Sequence, residues 1–464
     1  MPGTTGETEM QNTNTARPPM SPSKILALGF FAIIFTGALL LLLPFAAEPG
    51  VRITPLQALF TSTSAVCVTG LTVVDTASSY SLFGELVILS LIQLGGLGFM
   101  LFATSVLILS GRRISLRNRI LLHETMSMPG LSGTVRTTIR FMLIVIAVEL
   151  AGSVLLAIRF VPMFGFWKGT YFGFFHAISA FCNAGFDLFG AAGSLTQFQD
   201  DPHVLMTISS LIIVGGIGFA VLADLMHTRF RARKLHLHSK IVLATTAALL
   251  LAGSLLFALI EWDNPATLAA PGAGAPQKIL NAWFQSVTTR TAGYFSVQQS
   301  GLRNASKLLS SFLMFIGASP ASTGGGIKTS TFFVLIVLIR SVMRGKEDVE
   351  AFRRRVPASL IRTALSIFFI SLSLLAAGSV GMSLLEQSRG FSTIDLLFEE
   401  ASALGTVGLT SAGTANLTHP TQVWLILLMY FGRVGPLTMM ISLTARNSRK
   451  LSGIHYPEEQ LIVG

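Results

Sequence analysis

A short stretch that recurs four times constrains this chain more than any other feature. "FTSTSAVCVTGLT" (60–72) returns as "FHAISAFCNAGFD" (175–187), "WFQSVTTRTAGYF" (283–295) and "FEEASALGTVGLT" (398–410). Aligned without gaps, the four stretches share one central glycine, at spacings of 115, 108 and 115 residues. A fixed period of this kind indicates one structural unit used several times. The four glycines are Gly70, Gly185, Gly293 and Gly408.

The same kinds of segment frame each glycine stretch. An aromatic residue lies ten positions before each glycine, and a second apolar segment follows, as "LIQLGGLGF", "LIIVGGIGF", "FLMFIGASP" and "LLMYFGRVG". Good helix starters lie 15 to 17 positions before the glycines. These starters are Thr54 with Pro55, Thr170, Pro276 and Ser392. The unit is therefore predicted to be an outer helix, a short re-entrant half-helix, a glycine strand and an inner helix.

Long apolar runs indicate that these units lie in a membrane. Of the 464 residues, 51% are hydrophobic and 12% are charged, and several apolar runs of about 20 residues are long enough to cross a bilayer. We predict an all-α integral membrane protein with eight spanning helices and four re-entrant half-helices, arranged as four tandem repeats around one pseudo-fourfold pore. The runs begin near Ile25, Leu82, Phe141, Leu205, Ile241, Leu308, Leu360 and Trp424.

The repeats divide the chain into six segments. Residues 1–23 are rich in Thr, Glu, Asn and Pro and are expected to form a disordered cytoplasmic tail. Pore repeat 1 covers residues 24–110, and the following cytoplasmic connection with repeat 2 covers 111–228. Repeat 3 covers 229–343, repeat 4 covers 344–446, and a cytoplasmic C-terminus covers 447–464.

The charge pattern reports on topology. The net charge is +11, but the basic residues lie in short blocks between apolar segments, within residues 112–140, 229–240 and 340–362. The positive-inside rule places these connections and both termini in the cytoplasm. Because no single domain carries the positive charge, we expect no nucleic-acid partner.

Enzyme and metal chemistry are not expected. The two cysteines cannot form a disulfide framework, and no paired Cys/His spacing is present for a metal site. No nucleophile elbow, HExxH motif or pair of intramembrane carboxylates occurs. Cys67 and Cys182 hold the same position in their repeats and are interpreted as small packing residues.

Irregular backbone can occupy only a few environments within a membrane. It cannot face lipid, because unpaired amide and carbonyl groups there cost several kcal/mol each. Four such strands can meet around a shared axis, where their carbonyl oxygens replace the hydration shell of a monovalent cation. Glycine permits the positive φ that turns successive carbonyls inward. The alternative is that these glycines only allow helices to pack closely.

The third inner segment is interrupted. "IGASPASTGGGIKTST" (316–331) places a proline and three consecutive glycines where a helix should continue. We predict an intramembrane gate loop, with a structural kink as the alternative.

Lys328 in this segment and Arg433 in the fourth inner segment are cations at membrane depth, which are by default functional. The alternative for Arg433 is a structural role, in which it packs against a carbonyl or an acid. The gate candidates are Gly317, Ser319, Pro320, Gly324, Gly325, Gly326, Lys328 and Arg433.

Together the glycine strands, "TGGGIKT" and "FGRVG" resemble the Trk/Ktr/HKT superfamily of potassium transporters, over about residues 24 to 464. The resemblance is closest to the Ktr type and its KtrB membrane subunit, and it implies a carbonyl-lined potassium filter built from the four repeats. The positions that match the family filter are Val68, Thr69, Gly70, Asn183, Ala184, Gly185, Thr291, Ala292, Gly293, Thr406, Val407 and Gly408.

The resemblance also implies partners and conditions. It implies potassium uptake across the bacterial plasma (inner) membrane by a multi-pass homodimer in the lipid bilayer. A cytoplasmic ring of KtrA-like RCK subunits would bind ATP or ADP and regulate the pore. Potassium is the substrate, no covalent cofactor is expected, and sodium is an activator in many members of the family.

Two residues and one rival function remain open at this point. Arg290, three residues before Gly293, is expected to point behind the strand and pair with an acid, with Glu399 and Glu400 as candidates. Asp187 either attracts cations or caps its strand. The rival function is a secondary transporter that binds substrate at the break in a helix, a class that usually shows inverted halves with matching breaks.

Overall fold

The computed structural model describes residues 22–98, 134–190, 193–346, 348–352 and 354–435. The predicted tails at 1–23 and 447–464 fall largely or wholly outside these ranges, as does much of the basic connection after the first unit. What is described is mostly helical.

Fourteen helices of nine residues or more follow one another in four successive units of the described chain. The first unit contains α1 (Pro22–Leu41), α2 (Pro55–Val66) and α3 (Leu82–Leu97), and the second contains α4 (Thr134–Phe164), α5 (Phe166–Phe181), α6 (Pro202–Ile217) and α7 (Phe219–His227). The third contains α8 (Leu237–Glu261), α9 (Ala275–Thr288), α10 (Asn304–Phe315) and α11 (Thr329–Met343), and the fourth contains α12 (Ala358–Leu385), α13 (Thr393–Gly405) and α14 (His419–Val434).

Shorter elements lie in the connections. A two-stranded antiparallel hairpin pairs β1 (Glu350–Ala351) with β2 (Arg354–Arg355) between the third and fourth units. A one-turn α-helix spans Thr76–Ser79. Single 3₁₀ turns occupy Pro44–Ala46, Thr196–Phe198, Ala232–Lys234, Gln299–Gly301, Gln387–Arg389 and Thr414–Asn416.

Local chemistry sets where the short helices α2 and α13 begin. Thr54 and Gln57 form a reciprocal capping box at the start of α2, with Pro55 in the first turn. The Ser392 hydroxyl accepts a hydrogen bond from the backbone N–H of Asp395 at the start of α13. These starts agree with the starters expected from the sequence. In the third unit Pro276 lies in the first turn of α9, as expected, whereas α5 in the second unit begins at Phe166, four residues before Thr170.

Glycines end three of the inner segments earlier than the apolar pattern predicts. Gly98, Gly218 and Gly435 follow α3, α6 and α14 with φ of 82°, 99° and 92°, which a residue with a Cβ rarely adopts. After Gly218 the chain resumes as α7, bent 94° from α6. Each apolar run therefore continues past the residue where its straight helix ends.

By length and composition, four described helices can cross a bilayer: Lys24–Leu41 within α1, Ile139–Phe164 within α4, α8 and α12. The bent pair α6 and α7 raises the count to five. The remaining inner segments are shorter because of the glycine ends and the break between α10 and α11. The architecture is that of a helical multi-pass membrane protein, and the count of eight spans stays a prediction.

The units contact one another in a closed order. The inner helix of each unit packs against the short helix of the next: α3 on α5, α6 on α9, and α10 on α13. The last inner helix, α14, packs against the first short helix, α2. The Tyr430 hydroxyl also donates to the carbonyl of Ala27 at 2.6 Å, joining α14 to α1. This order brings the ends of the four short helices to the middle of the molecule.

Candidate ion-conducting site

The four repeated glycines adjoin one another in a ring at that middle. A methyl group added to Gly70 would lie 3.0 Å from the Cα of Gly185, and one added to Gly185 would lie 2.9 Å from the Cα of Gly293. The ring continues from Gly293 to Gly408 at 3.2 Å and from Gly408 back to Gly70 at 3.0 Å. All four have positive φ, between 68° and 96°. A side chain at any of these positions would meet neighbouring backbone.

Two residues before each glycine, the chain is left-handed at a residue that does have a Cβ. The φ angles are 56° at Val68, 58° at Asn183, 70° at Thr291 and 52° at Thr406. Three of these residues are β-branched, a type for which positive φ is a true outlier. Such strain costs on the order of 1–3 kcal/mol per residue and persists only where the surroundings enforce it. Its fourfold recurrence marks these stretches as one shared structure.

Hydrogen bonds from the short helices enforce this shape. The backbone N–H groups of Thr69, Ala184 and Val407 donate to the carbonyls of Ser64, Ser179 and Ser402, each at 2.8 Å. The hydroxyls of Ser64 and Ser402 also accept from the N–H groups of Gly70 and Gly408, each at 3.0 Å.

These serines are functional candidates that sequence reasoning missed. A serine stands six residues before the glycine in three of the four quoted stretches, which was a readable signal. In the third stretch Thr288 has a related role, since its hydroxyl donates to the carbonyl of Tyr294.

Buried polar side chains also hold the segments that follow the glycines. Glu399 accepts from the backbone N–H groups of Ser411 at 2.9 Å and Ala412 at 3.1 Å. At the same position of the second stretch, Nε2 of the His176 ring accepts from the N–H of Leu188 at 3.2 Å. Asp187 accepts from the N–H of Phe189 at 3.0 Å, so it caps its strand, one of the two roles left open for it.

The predicted gate segment is non-helical, between Phe315 at the end of α10 and Thr329 at the start of α11. A parallel bridge joins Ile316 to Ile327 at the base of the loop. Ser319 donates its backbone N–H to the carbonyl of Gly216 at 3.1 Å, which ties the loop to the end of α6.

The glycines of this loop lie against the residues that precede the ring. The N–H of Gly325 donates to the Thr406 hydroxyl at 3.0 Å. A methyl group added at Gly324 would collide with the hydroxyl of Thr291, and one added at Gly317 would collide with the carbonyl of Gly325. The loop is therefore folded on itself and packed directly against two of the four stretches. Ser319, Pro320 and Gly326 lie within it.

Arg433 connects this loop to two inner helices. Its guanidinium donates to the carbonyl of Thr323 in the loop and to the carbonyls of Gly95 and Gly96 at the end of α3. Lys328 donates to the carbonyl of Gly324 at 2.7 Å. Among the described residues neither cation forms an ion pair with an acid. Arg433 therefore packs against backbone carbonyls, which was the alternative to a gating role, and it lies beside the loop.

Other expectations have mixed outcomes. Cys67 and Cys182 are buried and free, and the Cys182 thiol donates to the Gln93 side chain at 3.3 Å.

The acidic partner expected for Arg290 is wrong for the described chain, where Arg290 is buried but forms no ion pair. Instead of pairing with Arg290, Glu399 accepts a hydrogen bond from the backbone N–H of Ser411, and Glu400 accepts one from the Ser379 hydroxyl. No group of His, Cys, Asp or Glu that could hold a metal occurs in the described ranges.

The apolar helices of this chain define a helical, multi-pass membrane protein. The family model of TrkH, the cation transport proteins, matches residues 6–453, so the chain belongs to that family. Family membership confirms the resemblance seen in the sequence. It also confirms that the protein is a transport protein and not an enzyme.

Relatives of known name are similar over nearly their whole length. The potassium/sodium uptake protein NtpJ of Enterococcus hirae is 40% identical, over 97% of this chain and 98% of its own. The Ktr system potassium uptake protein B of Bacillus subtilis is 38% identical, over 96% of this chain and 97% of its own. The potassium transporter TrkH of Vibrio parahaemolyticus is 18% identical, with a TM-score of 0.72 over 93% of this chain and 86% of that one, and it shows the shared fold.

Proposed function

We propose that the protein takes up potassium through a pore whose filter is the ring formed around Gly70, Gly185, Gly293 and Gly408. The observation that carries this proposal is the fourfold recurrence of a left-handed residue two positions before a left-handed glycine. Such backbone turns carbonyl oxygens toward one axis, where they can replace the water around a monovalent cation. The proposed filter consists of these glycines and the two residues before each.

Electrostatics support a cation rather than an anion. The short helices end beside the ring, and helix C-termini carry partial negative charge of about half an elementary charge. The twelve filter residues include no ionisable side chain, so backbone carbonyl oxygens are the proposed ligands of the cation. The relatives named for potassium uptake, and NtpJ named for potassium and sodium, support potassium as the substrate. The same names leave sodium as a second cation to test.

The loop between α10 and α11 is the proposed gate. It lies against Thr291 and Thr406, directly beside the proposed filter, and Arg433 holds it to the end of α3. A positive charge there repels potassium, so release of the loop would have to move Arg433 or the loop away from the path. Gly317, Gly324 and Gly325 allow the folded form because side chains there would collide with neighbours.

The proposed assembly follows the Ktr relatives. The names of the Bacillus subtilis and Vibrio alginolyticus proteins place them in a Ktr system, which supports a partner subunit. We propose a homodimer in the bacterial inner membrane, with eight spans per chain, cytoplasmic termini and a KtrA-like RCK ring that binds ATP or ADP. Sodium activation is part of the same proposal.

Potassium uptake in a transport-deficient bacterial strain tests the function. Gly185→Ser and Gly293→Ser should each abolish growth at low potassium, because a Cβ at either position lies within 3.2 Å of neighbouring backbone at positive φ. Gly381→Ser on α12 is the matched control, since nothing lies within 4 Å of its Cβ. Uptake that survives serine at two or more ring glycines would make the pore proposal wrong.

A further inference from the structure

Arg290 is a buried cation placed just after the end of α9 and three residues before Gly293. The residue is 6% exposed, and its Nη1 atom has no hydrogen-bond partner within the described structure. Consecutive Cα atoms are about 3.8 Å apart, so the Cα of Arg290 lies within about 11 Å of the Cα of Gly293. A charge at this depth without a partner is costly and calls for a functional explanation.

No nearby acid in the described chain neutralises this charge. Glu399, on the neighbouring short helix α13, uses its oxygens for hydrogen bonds from residues 410–414. Glu400 accepts from the Ser379 hydroxyl at 2.6 Å, and both oxygens of Glu149 accept from Gln93 at 3.1 Å. Arg290 therefore contributes its full positive charge to the electrostatic field of the third repeat.

The other three repeats are neutral at this position, where they have Cys67, Cys182 and Gly405. The end of a short helix supplies negative potential to the ring, and a cation placed there offsets it. Arg290 lies two residues beyond Thr288, the last residue of α9. The third quarter of the ring is thus less negative than the other three.

We propose that Arg290 sets the ion preference of the filter by weakening the field of its carbonyl oxygens. This inference rests on the proposed potassium pore. Strongly negative oxygens favour the smaller sodium ion, which offers the larger Coulomb gain, whereas weaker ones favour potassium, which is easier to dehydrate. Arg290 shifts the balance toward potassium and also limits how tightly either ion is held. It acts on the ion through the filter carbonyls and does not contact it.

The test compares Arg290→Gln with Arg290→Lys in proteoliposomes, by potassium uptake and its inhibition by sodium. Arg290→Gln should lower the KM for potassium and reduce the preference for potassium over sodium by about fivefold, because the field strengthens. Arg290→Lys retains the charge and should keep the preference within about twofold of wild type. The preference is a ratio measured on the protein that transports, so partial misfolding does not change it.

The outcomes separate this inference from the proposed function. An unchanged preference in Arg290→Gln would overturn the role of Arg290 while leaving potassium uptake intact. Loss of all uptake in both Arg290→Gln and Arg290→Met, with Arg290→Lys active, would assign Arg290 a structural role and also overturn it. If the wild-type protein itself took up no potassium, the proposed function would fail first.

Discussion

Thr406 has two structural roles, one in its backbone and one in its side chain. Its backbone is left-handed, with φ of 52°, and its hydroxyl accepts the N–H of Gly325 at 3.0 Å. The left-handed backbone is part of the ring, and the hydroxyl holds the loop. A single buried side chain thus joins the proposed filter to the proposed gate, so a change at Thr406 can alter one while leaving the other in place.

Thr406→Val removes this hydroxyl with little change in shape. The N–H of Gly325 then loses its buried acceptor, which costs about 1–3 kcal/mol, and the packed loop becomes less stable. We expect faster potassium uptake at equal protein level, measured in the transport-deficient strain or in proteoliposomes. Thr406→Ser keeps the oxygen and is the matched control. Equal rates for Thr406→Val and Thr406→Ser would contradict the link between loop and threonine.

At this scale the sequence predicts the ring glycines and little of what surrounds them. Gly70 and its three counterparts stand out because their period is regular and their flanks repeat. The left-handed Val68 carries no local signal, because positive φ is an outlier for a β-branched residue, and Asn183 carries only the general tolerance of Asn for this conformation. Their conformation comes from hydrogen bonds to the short helices, which depend on the folded arrangement.

Among the elements, the break between α10 and α11 differs most from its counterparts. The other inner segments each end at one glycine, whereas this one folds into a loop that bonds to α6 and, through Arg433, to α3. Proline and glycine at residues 320–326 predict the break correctly. The partners could not be predicted, because they are backbone carbonyls, which every residue has.

Arg433→Ala tests whether this cross-link holds the loop. Its loss removes donors to Thr323, Gly95 and Gly96 and takes away a positive charge beside the proposed path. We expect potassium uptake to rise several-fold, measured as rubidium tracer influx. Arg433→Lys, which keeps the charge and part of the donor set, should stay near wild type. Reduced or unchanged flux in Arg433→Ala would count against the gate role.

Glu386 lies just beyond the end of the spanning helix α12 and joins it to the start of α14. It follows the end of α12, and its Oε1 accepts from the Thr418 N–H at 2.8 Å and from the Thr418 and Thr421 hydroxyls, each at 2.6 Å, at the start of α14. Burial raises the pKa of this carboxyl, but these hydrogen bonds outweigh burial and hold the pKa below its ordinary value of 4.5. The charged form is the one that stabilises the fold.

Glu386→Gln should therefore lower the unfolding temperature in a pH-dependent way. A depressed pKa contributes stability that is full above pH 4.5 and is lost as the pH falls through the folded-state value. The difference from wild type should be a few degrees near pH 7 and should shrink below pH 4.5, measured by intrinsic fluorescence in detergent. Glu350→Gln, which removes an exposed carboxylate paired with Lys346, is the control and should change little. A difference that stays constant with pH would contradict the assignment.

On the scale of the whole molecule, the closed order of contacts is the defining feature. The last inner helix, α14, packs against α2, and Tyr430 bonds to Ala27 across more than 400 residues of sequence. The fourfold period predicts that the units are alike, but it does not say which helix touches which. Small residues allow these close approaches: Gly96 of α3 lies against Cys182 at the end of the next short helix, α5, whereas Gly95 and Gly432 lie against the short helices of their own units, α2 and α13.

Tyr430→Phe tests the closure itself. The substitution keeps the ring and removes one hydrogen bond, worth about 0.5–1.5 kcal/mol, between the last and first helices. We expect the unfolding temperature to fall by roughly 1–3 °C, with ion preference unchanged. Tyr171→Phe, which removes a hydrogen bond to Glu85 between the first and second units, offers a comparison of similar chemistry. A shift in ion preference in Tyr430→Phe would show that the closure also shapes the filter.

The contact between α14 and α2 has a consequence for biosynthesis. The ring needs its fourth glycine, Gly408, and α14 must then pack against a helix that left the ribosome more than 350 residues earlier. Until that happens, the first and third stretches each lack one of their two neighbours in the ring. An unfinished or truncated chain should therefore lack the closed ring, and with it the proposed ion path.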